Sequence, residues 1–262
     1  MTAVLFEPAP FVRKIEEAAR AGGWTINYLS PCPSSTRPWL HRAARATPSS
    51  PGKPAPRFYL SAGIHGDETA GPLAVLEMLR APDFFDAVDT TIFPILNPEG
   101  LARATRVNLG NVDLNRDYRN AKSEEIRGHL AVLSTLGRFD VAMMLHEDYE
   151  GTGAYLYELN DGPIADLGLK IMTAMHRHVP IDERPIIEEV EAKGGIIQRA
   201  DIIRKMGPIE DRPEWPEAIY LSVNHTRVSY TTETPMLQPL AARVAAQIAA
   251  VGTVLEALAA RP

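Results

Sequence analysis

Cysteine is nearly absent from this chain of 262 residues: Cys32 stands alone. That excludes an internal disulfide framework and any zinc site built on thiolates, so metal chemistry here has to use imidazole and carboxylate. A basic excess is absent too. The 27 Lys and Arg residues face 33 Asp and Glu, a formal charge of −6, whereas a general nucleic-acid binder carries a basic footprint. No nucleic-acid partner is expected. The N-terminus shows no basic region leading into an apolar stretch of signal length, and no apolar run reads as long enough to span a bilayer. The expectation is a cytoplasmic protein without a membrane partner. Repeats, low-complexity tracts and clear domain boundaries are lacking as well, so residues 1–262 read as one domain. What is present suits a folded core, with 45% hydrophobic and 23% charged residues, and 22 prolines placed mostly in connecting segments.

Periodicity divides the chain into alternating elements. Residues 11–21 read as an amphipathic helix with Phe11, Ile15, Ala18 and Ala19 on one face, stopped by Gly22 and Gly23. Strands are expected over 24–29, 39–46, 57–64, 90–96, 140–145, 155–159 and 228–233, and helices from just after His65 to about Arg80 and over 123–136, 163–178 and 239–260. Residues 30–35 and 47–54 read as loop and turn, and 180–217 as irregular. The alternation predicts an α/β sandwich around a largely parallel sheet. Such sheets bind ligands at the carboxyl ends of their strands. His65, Asn97, His146 and Glu233 each fall at the end of an expected strand.

The sequence is centred on His65-Gly-Asp-Glu68. His65 closes an apolar strand and Glu68 opens the following helix, so two ligand-type side chains can face one point across the corner. His-x-x-Glu alone also reads as a helix start with a favourable acid. A catalytic zinc takes three protein ligands and leaves a position for water. His146, at the end of another apolar strand, supplies the third; His41, His129, His176, His178 and His225 lack that placement. Arg106 and Arg116 lie on a loop that also carries Asp113, Asn115 and Asp117. They can serve as forks for a carboxylate or as polarisers of a carbonyl oxygen, and the same pattern also describes a loop stapled by Asp–Arg pairs. Glu233, at the end of a buried-type strand, suits a general base; as an acid ahead of the closing helix it has a purely local reading too.

The ordered series His65-Gly-Asp-Glu68, Asn97-Pro-Glu-Gly100, Arg106, Asp113-Leu-Asn115-Arg116, His146 and Thr232-Glu233 resembles the zinc carboxypeptidase superfamily, which includes carboxypeptidase A-like peptidases, succinylglutamate desuccinylases and aspartoacylases. The resemblance implies a three-layer α/β/α sandwich with a mixed, mainly parallel sheet of about eight strands. It implies one zinc ion on His65, Glu68 and His146, an oxyanion-stabilising Arg106, a substrate carboxylate held by Asn115 and Arg116, and Glu233 as general base and acid. The implied activity is hydrolysis of an amide beside a free α-carboxylate, with a small peptide or an N-acyl amino acid as substrate. The alternatives are release of a C-terminal residue from a peptide and deacylation of an N-acyl amino acid. The run after His146, with Gly151-Thr-Gly-Ala-Tyr-Leu-Tyr-Glu158, is closer to the small bacterial desuccinylase-like branch. No motif matches the substrate-capping tyrosine of digestive carboxypeptidases; Tyr220 and Tyr230 are candidates by proximity to Glu233. Glu147, Asp148 and Glu150 read either as a solvated acidic loop or as a preference for a cationic substrate.

Overall fold

The computed structural model describes residues 7–30, 37–45, 54–162, 164 and 166–261. Cys32, most of the loop at 30–35 and most of the turn at 47–54 lie outside the described residues.

The chain opens with α1 (Pro8–Ala21), β1 (Thr25–Tyr28), β2 (Pro38–Arg42), β3 (Arg57–Ala62), α2 (Ala70–Arg80) and β4 (Asp89–Phe93). It continues through α3 (Pro98–Arg103), α4 (Glu124–Leu133), β5 (Val141–Asp148), β6 (Tyr155–Asn160) and α5 (Leu167–Met175). The last third holds β7 (Ile186–Ile187), β8 (Val190–Glu191), β9 (Ile196–Gln198), α6 (Arg199–Met206), α7 (Glu217–Asn224), β10 (Val228–Pro235) and α8 (Leu240–Ala259). Eight strands form one sheet in the order β1-β2-β4-β3-β5-β10-β6-β9. The centre, β4-β3-β5-β10, is parallel, while β2 and β6 run antiparallel to β4 and β10.

Side chains alternate across the sheet because successive Cβ atoms of a strand point to opposite faces. Phe58, Leu60, Val141, Met143, Leu145 and Tyr230 join one core, with α1, α2, α5 and α8. Tyr59, Ala142 and Met144 join the other, with α4 and α7. The central strands are therefore buried on both faces and read as nearly continuous apolar runs. The result is the expected three-layer α/β/α sandwich with a mixed, eight-stranded sheet.

From β3 the chain passes to β4 on one side and later returns to β5 on the other. That reversal opens a crevice at the carboxyl ends of β3 and β5, the place where open α/β sheets bind ligands.

Several expected boundaries move. The strand ending before His146 runs on to Asp148, and the one ending at Glu233 runs on to Pro235, because β5 and β10 pair through Pro235↔Asp148. The polar stretch after β4 is α3, with Asn97 at its N-cap accepting from the Gly100 N–H at 2.9 Å. The expected helix over 163–178 shortens to α5. The irregular region at 180–217 contains β7, β8, β9, α6 and the start of α7. These elements are short and held by tertiary pairing, such as the three-residue match of β9 to β6, too brief for periodicity to reveal.

The membrane reading is corrected. Leu240–Ala259, with a mean hydropathy of 1.4, is long and apolar enough to cross a bilayer by length and composition. In this fold α8 packs against α2 and α5, burying Ala246, Ala250, Val251, Val254 and Leu258, with 33% of its most apolar stretch buried.

Candidate active site

His65 and Glu68 lie on the turn between β3 and α2, just ahead of the helix N-cap Thr69. The turn is tight because Gly66 packs against backbone: a Cβ there would sit 2.0 Å from the carbonyl carbon of Gly100. His146 projects from β5 on the same face as Met144, and Glu233 is its register partner on β10. All three candidate ligands are buried, and one donor atom of each lies within 4.8 Å of the others.

Glu68 sits between the two imidazoles. Its Oε1 is 2.5 Å from His65 Nδ1, and its Oε2 is 3.0 Å from His146 Nδ1. The second contact is off line for a hydrogen bond, so Oε2 is buried without a hydrogen-bond partner among the described residues. His65 Nε2 lies 3.2 Å from Asp113 Oδ1. A carboxylate there takes the Nε2 proton and turns the Nδ1 lone pair to the centre, the usual outer partner of a metal-bound histidine.

Two ring nitrogens and a carboxylate facing one another in a buried place need positive charge between them. Without an ion, burial lowers both histidine pKa values, but the Glu68 carboxylate outweighs it and moves both up. Burial likewise raises Glu68, yet His146 and His65 bring it down to about 2. The orphaned oxygen, the two nitrogens and the supporting Asp113 fit a metal ion, and the N, N, O donor set suits zinc.

Arg106 reaches the same point. Its Nε donates to Asp113 Oδ2 at 3.0 Å, and Nη1 lies 3.3 Å from His65 Nδ1. The Asp–Arg staple is thus real for Arg106. It is not for Arg116, because Asp117 accepts instead from Lys122 N, Ser123 N and Ser123 Oγ at the start of α4. Arg116 and Asn115 line a cavity of about 590 Å³ together with His65, His146 and Glu233. Asn115 is fixed there by its Oδ1, which accepts the Glu217 N–H at 2.9 Å.

The Glu233 carboxyl makes no hydrogen bond among the described residues. Burial pushes its pKa up to about 8, with Glu68 and Asp148 adding to the rise and His146 and Arg106 opposing it. A carboxyl that holds a proton near neutral pH, two strand positions from cavity-lining Thr231, has the properties of an acid–base group.

The sequence-predicted residues His65, Glu68, Arg106, Asn115, Arg116, His146 and Glu233 therefore all meet at one cavity. Other readings change. Glu147 is not part of an acidic loop: it is buried, accepts from Ala70 N at 2.7 Å, and pairs with Arg243. Asp148 accepts from Glu150 N and from Tyr155 Oη. Tyr220 packs on Tyr118 and His225, and Tyr230 faces the α8 side, so neither reaches the cavity. The tyrosines that line it are Tyr149, Tyr155 and Tyr157. Tyr155 was legible only through register, since it pairs with Glu233 across β6 and β10. The wall formed by Ala218, Ile219 and Ser222 of α7 carried no signal in the sequence.

Comparison with known proteins follows the same outline. The family model of the succinylglutamate desuccinylase/aspartoacylase catalytic domain matches residues 54–181, which carry all of these site residues except Glu233. Among curated proteins, none matches the chain. Among solved structures, a candidate metallopeptidase of Shewanella amazonensis SB2B aligns with a TM-score of 0.77 at 24% identity, over 95% of this chain and 92% of the other. One of Shewanella baltica OS155 aligns with 0.73 at 25% identity, over 96% and 91%. A metallo-carboxypeptidase from Pseudomonas aeruginosa, in complex with (2-guanidinoethylmercapto)succinic acid, aligns with 0.65 at 16% identity, over 97% and 70%.

Proposed function

Since the chain belongs to the zinc carboxypeptidase-like superfamily, we propose that it is a zinc-dependent hydrolase that removes a C-terminal residue from a short peptide. The observation that carries this reading is the convergence of His65, Glu68 and His146 on one point, with Glu233 in register beside His146. His65 Nδ1, His146 Nδ1 and Glu68 would hold the ion. Zinc bound there lowers the pKa of its water to about 7 and polarises the scissile carbonyl.

The remaining work falls to side chains of this chain. Glu233 takes the proton of the attacking water and later delivers it to the leaving amine. Arg106, steered by Asp113, offers Nη1 to the developing oxyanion, usually a large share of catalysis. Asn115 and Arg116 hold the free α-carboxylate, which orients the scissile amide toward Glu233 and Arg106 in the same cavity. The side chain of the released residue then enters a recess between α7 and the sheet. Strand alternation places Met144, Thr231, Ser229 and Leu159 on its floor, and Ile219 and Ser222 face them. Arg212, also at the cavity, donates to the carbonyls of Ile202 and Gly207.

The match to the desuccinylase/aspartoacylase catalytic domain favours a second reading, hydrolysis of an N-acyl amino acid by the same groups. Zinc-loaded protein assayed on peptides varied at the C-terminal residue and on N-acyl amino acids separates the two. Release of C-terminal residues supports the peptidase. Turnover of acyl amino acids alone replaces it with the deacylase, and no turnover of either class by metal-loaded protein overturns both.

A further inference from the structure

Glu217 is a carboxyl residue with 1% exposure, far along the chain from the motifs and with a side chain outside the machinery just described. It is the first residue of α7. Its Oε1 accepts from Tyr59 Oη at 2.5 Å, and its Oε2 is buried without a hydrogen-bond partner among the described residues. Tyr59 belongs to β3, so this bond ties α7 to the centre of the sheet.

The bond is the end of a longer chain. His129 is completely buried; burial, with His225 adding to it, brings its pKa down to about 3, so its ring is neutral with one N–H. Tyr59 spends its proton on Glu217 and must accept from His129 Nε2, 3.0 Å away. His129 Nδ1 is then an acceptor and takes the proton of Tyr118 Oη at 2.7 Å. Three hydrogen bonds thus run one way, from Tyr118 through His129 and Tyr59, and end on Glu217. Chains of this kind polarise one another and fix geometry.

A buried carboxyl is costly, and breaking such a set would leave its members unpaired. Packing alone would be served by an apolar residue at 217. What the carboxyl adds is a fixed start for α7, and the backbone N–H at that start is the donor that holds Asn115 Oδ1. With Oδ1 engaged, Nδ2 is the donor that the amide has left for the cavity.

We propose that Glu217 is a positioning residue for the carboxylate clamp: gripped by Tyr59, it pins the first turn of α7 so that its N–H orients Asn115 toward the substrate's free carboxylate. This rests on the clamp reading of Asn115 and Arg116. Glu217 touches neither substrate nor ion, and its influence runs through one amide.

The test is the KM and kcat of zinc-loaded wild type, Glu217→Gln, Glu217→Ala and Tyr59→Phe on matched peptides ending in a free carboxylate or a carboxamide. Wild type should prefer the free carboxylate by at least about tenfold in KM, as charge-assisted hydrogen bonds imply. Glu217→Ala should raise KM about tenfold for the carboxylate peptide only, with kcat within about twofold. Glu217→Gln, which keeps the acceptor for Tyr59, should stay within about twofold of wild type. Tyr59→Phe removes the grip without substituting any residue of α7 or Asn115. It should move KM in the same direction, and it carries the test if Glu217→Ala does not fold. Wild type without a carboxylate preference would overturn the clamp and this proposal with it. A preserved preference in Tyr59→Phe and Glu217→Ala, or equal losses on both peptides, would overturn the proposal alone.

Discussion

The two faces of the same strand pair, β5 and β10, are built on opposite rules. On the cavity face, Glu233 and the hydroxyls of Thr231 and Ser229 have no hydrogen-bond partner among the described residues, and across the corner Glu68 Oε2 is orphaned. One residue away, on the face toward α8, most polar groups are engaged, the buried Tyr230 hydroxyl being the exception among the described residues. Gln247 Nε2 donates to the carbonyl of His146 at 2.8 Å, and its Oε1 accepts from Thr232 Oγ1 at 2.7 Å. Glu147 accepts from Ala70 N and Thr234 Oγ1 and pairs with Arg243. The face toward the cavity keeps its polar capacity in reserve, and the face that meets the core uses most of its own to hold His146 in register with Glu233. Glu147 also ties the start of α2, and hence the Glu68 turn, to the strand that carries His146. Unsatisfied polar groups are costly in a buried place, so a site can keep them only where neighbouring structure is firmly held.

The sharpest way to break this contrast is at the cavity face. Glu233→Gln should lower kcat by about 10²–10⁴-fold while zinc content, read by elemental analysis, stays stoichiometric. Glu68→Gln should lose the metal as well as the activity. Equal zinc retention in both would remove Glu68 from the ligand set.

The next largest effect is expected on the opposite face. Gln247→Leu removes the 2.8 Å donor to the His146 carbonyl and the 2.7 Å acceptor of Thr232 Oγ1, leaving those groups with longer bonds of 3.4 and 3.5 Å, and should cost about 2 kcal/mol in urea unfolding. A neutral result would mean that the α8 side does not hold the register.

A pH series on metal-free protein sharpens the comparison further. The Glu233 pKa is raised to about 8 from an ordinary 4.5, so the fold favours its protonated form. The resulting stability is complete below about pH 4.5 and is lost as pH rises through about 8. Metal-free Glu233→Gln escapes that loss. Relative to wild type it should gain on the order of 2 kcal/mol between about pH 5 and 8, seen as a rising difference in Tm. A constant difference across the range would show that Glu233 titrates normally.

The smallest expected effect comes from neighbouring threonines. Thr232→Val breaks the bond to Gln247 and should cost about 1 kcal/mol. Thr231→Val removes a hydroxyl without a protein partner and should change stability by less than about 0.5 kcal/mol. Equal costs would erase the distinction between the faces.

The cluster of His65, Glu68 and His146 was legible because its parts follow from local pattern. His65 and Glu68 are three residues apart across a strand-to-helix turn, and His146 and Glu233 lie near the ends of apolar strands whose type is plain from their residues. Glu217 was not legible: an acid after Trp215-Pro216 looks like any helix start, and its partners Tyr59 and Asn115 are 158 and 102 positions away. Tyr155 and Gln247 share that fate, one placed by strand register and the other by packing of a helix whose composition alone resembles a membrane span.

What the sequence by itself determined is the alternation of elements, the parallel core strands and the residue types of the candidate ligands, because period and residue type are properties of short segments. Only the tertiary structure decided that β5 pairs with β10 so that His146 stands beside Glu233, and that α7 closes the cavity over Asn115. Those outcomes depend on which distant surfaces exclude water together, and no local pattern records that.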